Sequence, residues 1–161
     1  VVAIDPAVTA KDSSDYTGIV VAGIDSNGEV FVLQDATMKG APHEWAQQAV
    51  DLFKIYQADR IVAEVNQGGD MVEATLRAID PSVPYKSVRA TRGKLLRAEP
   101  VAALYEQDRV HHVGVFAELE EQQCTWIPGK PSPDRLDALV WAVTELALED
   151  EANAGSILAY L

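Results

Sequence analysis

Hydrophobic and polar positions follow two different periods along this chain, and the switch between them marks out its elements. Residues 1–4 are an uninterrupted apolar run closed by Asp5, which predicts a short buried strand. A polar stretch, 6–16, reads as a loop. Two apolar runs, 17–25 and 29–36, then flank Ser26-Asn27-Gly28. An Asn-Gly pair between apolar runs is a strong hairpin signal, because both residues accept the positive φ of a tight turn. The first three strands are therefore expected to form an antiparallel meander.

From residue 42 the period becomes helical. Trp45, Ala49, Leu52, Phe53 and Tyr56 fall on one face of a helix predicted over 42–58. A core strand follows over 60–66, then a turn at Gly68-Gly69, a helix over 70–79 and a strand over 85–90. The segment 94–107 reads as a helix, with Pro100 an objection to its continuity. A short strand over 110–113, a helix over 116–125 and a Pro- and Gly-rich loop over 126–133 complete this part. Ser132-Pro133-Asp134 has the chemistry of a helix start: a capping hydroxyl, Pro at the first position and an acid in the first turn. That last helix is expected to run to about residue 148. The order predicts an α/β fold with a mixed central sheet, antiparallel in strands 1–3 and then parallel, flanked by helices. One domain over 1–150 and a tail over 151–161 account for the chain.

In such a sheet the first strand lies parallel to the 60–66 strand. Asp5 and Glu64 then meet at their C-terminal ends, where open α/β sheets form their ligand sites. Asp134 and Asp137 are three apart on a helix and can face the same way. A carboxylate at the end of a core strand is costly unless something pairs with it. Several brought together make an all-oxygen cradle for two Mg²⁺ or Mn²⁺ ions, the arrangement suited to phosphodiester hydrolysis. On this reading Asp5 bridges both ions, Glu64 holds one, Asp137 the other, and Asp134 assists. Each acid also has a plainer reading. Asp5-Pro6 makes a turn, Glu64 pairs with Arg60 or Arg89, and Asp134 complements the helix dipole. Asp137 is harder to dismiss, because it adjoins the apolar face of Leu136, Val140 and Trp141.

Composition narrows the alternatives. At 161 residues and 48% hydrophobic, the chain suits one domain with a real core and is not a disordered segment. It has no apolar run of membrane-spanning length and no signal peptide. The lone Cys124 excludes an internal disulfide and fits a reducing compartment. No Cys/His pattern suggests zinc. His111 and His112 point to opposite faces of a strand and read as structural; Trp45, Trp126 and Trp141 read as packing aromatics. A net charge of −12 argues against a simple electrostatic DNA binder, yet Lys86, Arg89, Arg92, Lys94 and Arg97 put five cations in twelve residues. The chain opens on Val1, inside a strand, which suggests a domain excised from a longer protein.

Four segments carry a resemblance: Val1 to Pro6 followed by Tyr16-Thr17-Gly18, Ile61 to Gly69, Arg92-Gly93-Lys94 with Arg97 to Val101, and Pro133 to Ala138. In this order, and across nearly the whole chain, they resemble the RNase H-like nuclease domain of the large terminase subunit of tailed phages. The resemblance implies an RNase H-like fold and a metal-dependent endonuclease that cuts concatemeric double-stranded DNA during packaging. It implies an ATPase motor domain upstream, a small terminase subunit and a portal as partners, and the cytoplasm of a bacterial host as its place. It also implies that Lys94, Arg97, Arg92 and Arg89 help to hold the DNA backbone. Relatives carry Asp or His at the place of Asp134. Asp15 has no firm match. No Gly-x-x-x-x-Gly-Lys-Ser/Thr motif occurs in the chain itself. The rival readings are a junction resolvase or transposase-type nuclease, a sugar- or acetate-kinase-like ATPase, for which the chain is short, and a non-catalytic scaffold that keeps the fold.

Overall fold

Val2–Asp5 forms the first strand, β1, in a computed structural model that describes residues 1–6, 16–65, 69–90, 93–131 and 133–148, with the side chains of 69 and 70 left aside. Val1 to Ile4 are all buried, which makes β1 a central strand. Tyr16–Ile24 (β2) runs antiparallel to it, and Val30–Asp35 (β3) returns antiparallel to β2. The connecting turn is the expected hairpin: Gly28 has φ +82°, and the Asp25 carboxylate accepts from the Asn27 and Glu29 amides at 2.9 Å. A two-residue strand, Met38–Lys39 (β4), pairs with the start of β2. Two residues are too few to show a period, so no pattern of residues announces this strand.

Pro42–Ile55 is α1, and Ile61–Glu64 is β5, parallel to β1 in the register Ile4↔Ala63. Gly69–Ile79 is α2, and Tyr85–Val88 is β6, parallel to β5. Lys94–Glu106 is α3, Val110–His112 is β7, parallel to β3, and Ala117–Thr125 is α4. Asp134–Val143 is α5, which continues as a π-helical turn over Thr144–Leu148. The sheet order is β6-β5-β1-β2-β3-β7, with β4 beside β2. The fold is thus the expected mixed α/β sheet flanked by helices.

Two details depart from expectation. Pro100 lies inside α3 without ending it. The carbonyl it deprives of a partner belongs to Leu96, and both residues are exposed, so water can satisfy that oxygen. Pro133 stands at the N-cap of α5 rather than at its first helical position, and no side chain caps the helix among the described residues. The expected cap, Ser132, lies outside the described residues, as does the tail.

The pleat divides the core in two. Ala3, Val20, Ala22 and Val62 pack under α3, α4 and α5. Val2, Ile4, Ile19, Val21, Ile61 and Ala63 pack under α1 and α2. Since strand side chains alternate between faces, Asp5, Gly18 and Glu64 belong to the face that α5 covers.

Candidate active site

Asp5 ends β1 and Glu64 ends β5, one residue past the Ile4↔Ala63 pair, so they stand at the same end of neighbouring parallel strands. Their shared face is closed by α5, whose first turn carries Asp134 and Asp137. Asp5 faces Gly18 across the β1–β2 ladder. A Cβ on Gly18 would sit 2.1 Å from the Asp134 carbonyl oxygen and 3.1 Å from the Ala138 Cβ. The first turn of α5 therefore rests on bare β2 backbone, and only glycine permits that approach. It brings the two helical acids down beside the two strand acids.

The electrostatics record the convergence. Burial first, then Asp137, Glu64 and Asp134 in that order, push the Asp5 carboxyl up, and with Lys94 pulling it back it stands at about 8. Glu64 and Asp137 are buried, and cations from α3 sit against both. Lys94 Nζ forms an ion pair with Asp137 Oδ2. Arg97 Nη1 donates to Glu64 Oε2 at 3.2 Å, and Trp141 Nε1 donates to the same oxygen at 2.7 Å. The spacing is regular: Lys94 and Arg97 are one turn apart on α3, and Asp137 and Trp141 one turn apart on α5.

The basic strip divides accordingly. Arg89 is exposed beyond β6. Lys94 is half-exposed and reaches Asp137. The Arg97 side chain is only 10% exposed, with its guanidinium turned inward on Glu64 and over the Trp141 ring. Lys86 points elsewhere, to Glu145 near the far end of α5. Arg92, Asp15 and Gly68 lie outside the described residues. Glu64 pairs with neither Arg60, which binds Glu145, nor Arg89. His111 reaches Glu29, and His112 bridges Tyr105 and Glu120 at the β7 edge, away from the acids.

Trp141 is the residue that the sequence undervalued. The available signal was its place four residues after Asp137, which puts an N–H donor on the face that carries the acid.

The donor set is entirely carboxylate, the chemistry that suits a hard divalent ion, and the Asp5 carboxyl, raised first by burial and then by its acidic neighbours, is one whose charged form such an ion would favour. The residues fit the group in kind. As the side chains stand, no three acids among the described residues close on one point. Lys94 lies where Asp137 would have to be released for an ion to gain it.

No curated protein matches the chain in sequence. The fold matches that of the large terminase nuclease from thermophilic phage G20c, with a TM-score of 0.70 at 16% identity, over 89% of this chain and 80% of that one. A structure of the same nuclease with bound zinc gives 0.69 at 17% identity, over 90% and 81%. The yeast mitochondrial Holliday junction resolvase Ydc2 gives 0.58 at 13% identity, over 91% and 77%. These likenesses establish a shared RNase H-like architecture. Residues 2–146 match the family of terminase RNase H-like domains, and the chain belongs to that family.

Proposed function

We propose that this chain is the DNA-cutting domain of a large terminase, an endonuclease that hydrolyses phosphodiester bonds with Mg²⁺ or Mn²⁺. The observation that carries the reading is the convergence of Asp5, Glu64, Asp134 and Asp137 at the first turn of α5, with the Asp5 carboxyl raised by burial and then by the other three. Asp5, Glu64 and Asp137 would hold two ions, and Asp134 would assist. Bound there, the ions supply an activated water and charge stabilisation for the leaving oxygen. The chain's own part is to hold the carboxylates rigidly and to orient the phosphate. The positive end of α5 faces the same space and favours an anion beside the acids. The exposed Arg89 and Lys94 offer backbone contacts without sequence information.

Double-stranded DNA is the substrate on this reading, and an ATPase motor domain, a small terminase subunit and a portal are the partners, in the cytoplasm of a bacterial host. Among the described residues no helix is long and apolar enough to cross a membrane. The fold shared with the Ydc2 resolvase keeps a second reading in play, cleavage of four-way junctions. Supercoiled, linear and four-way DNA incubated side by side with Mg²⁺, Mn²⁺ or EDTA separate the two. Metal-dependent cutting of ordinary duplex supports the terminase reading. Cutting confined to junctions supports the resolvase reading, and no cutting with either metal sinks both.

A further inference from the structure

The chain treats the two oxygens of Glu64 differently. Oε2 accepts from Trp141 Nε1 and from Arg97 Nη1, and no described residue donates to Oε1. The three side chains form one buried unit. The Arg97 guanidinium carbon lies 4.6 Å from the Trp141 ring centroid, so the two donors also hold each other. An arginine left to satisfy a buried carboxylate usually makes two parallel hydrogen bonds, one to each oxygen. Arg97 makes one, and its Nε, though buried, has no partner among the described residues. A contact serving stability alone would saturate Glu64. This one pins half of it.

The geometry points to Trp141 and Arg97 as positioning residues that fix Glu64 as a one-oxygen ligand, leaving Oε1 to the divalent ion. The inference rests on the metal-dependent reading above. The indole is a donor with no acceptor and few rotatable bonds, so it anchors Oε2 without competing for the ion. The guanidinium adds charge on the same side. With Oε2 held, the carboxylate cannot swing to chelate with both oxygens, and its reach toward Asp5 stays constant.

The test is Mn²⁺ affinity by titration calorimetry, together with the Mn²⁺ dependence of plasmid cleavage, on the purified chain. The variants are Trp141→Phe, Arg97→Met, Glu64→Gln and the doubles with Glu64→Gln. Trp141→Phe keeps the ring and removes the donor. It is expected to weaken Mn²⁺ binding about tenfold or more, with cleavage returning to within a few-fold of wild type at saturating Mn²⁺. In the Glu64→Gln background the same change should cost nothing further, because the anchored oxygen's role is already lost. Arg97→Met should behave alike and carries the test if Trp141→Phe does not fold. Wild-type affinity in Trp141→Phe and Arg97→Met overturns the inference, as does an equal loss with and without Glu64. Those results leave the metal-dependent reading standing if the wild type binds Mn²⁺ and cuts. A wild type that does neither overturns both.

Discussion

Two buried groups of charge lie under the two ends of α5, and they are balanced in opposite ways. Near its far end, Glu145 is met by Arg60 Nη1 at 2.9 Å and Lys86 Nζ at 2.7 Å, two cations for one acid. Under its first turn, Asp5, Glu64 and Asp137 share Lys94 and Arg97, and Asp134 adds to the repulsion on Asp5. A buried carboxylate that is fully paired is a fastening. A group in which one carboxyl is pushed up by burial and by its acidic neighbours is under electrostatic load, which a bound cation would relieve. The contrast separates a structural ion pair from a candidate reaction centre without any appeal to relatives.

The widest gap between the two ends should appear in cleavage. Asp5→Asn and Asp137→Asn are each expected to slow DNA cutting on the order of a thousandfold, with melting temperatures at or above wild type, whereas Glu145→Gln should cut normally per folded molecule. A plasmid assay alongside thermal melting reads both, and wild-type cutting by Asp5→Asn would remove the foundation of the proposal. Next comes the response to metal. Mn²⁺ at about a hundred times its dissociation constant should stabilise the wild type by about 2.7 kcal/mol, and this shift should be absent in Asp137→Asn and intact in Glu145→Gln. Third, Glu145→Ala removes the acid that Arg60 and Lys86 both meet. Because Arg60 and Lys86 are partly solvated, the loss should be about 2 kcal/mol by urea unfolding, less than for a fully buried pair.

A pH series in EDTA tests the load directly. The Asp5 carboxyl is raised to about 8 in the fold, so the folded state holds that proton longer than the unfolded chain does. The penalty is absent below the ordinary carboxylate range, grows as pH rises, and is complete above about 8. Stability should therefore fall across that interval in the wild type and fall less in Asp5→Asn. Equal slopes would mean that Asp5 carries no such load. The smallest effect belongs to Arg89→Ala, expected to lower the salt slope of DNA binding by about one and to weaken all sequences alike.

Much of this was legible in the residues. The hairpin showed in Asn27-Gly28, the parallel pairing of β1 with β5 in two apolar runs ending on acids, and the covering helix in the period after Pro133. What the sequence withheld were relations set by packing rather than period. Lys94 and Arg97 looked alike as basic residues in the first turn of the 94–107 helix. The structure separates them, one half-exposed on Asp137 and the other sealed against Glu64, because they stand one turn apart along the same side of α3 and meet different acids at different depths. Trp141 read as core, and it is, but its N–H lies within bonding distance of an acid 77 positions earlier. No local pattern encodes that distance.

The bare backbone at Gly18 has one more implication. Where a helix leans on side chains, their rotation gives the joint some play; here main chain abuts main chain, and the gap between strand acids and helix acids has no compliance to absorb an error. A single methyl at this position works as a shim. Meeting the Asp134 carbonyl at 2.1 Å, it would have to lift the end of α5 by about an ångström, a displacement large enough to cost a hundredfold in rate while leaving the rest of the molecule almost untouched.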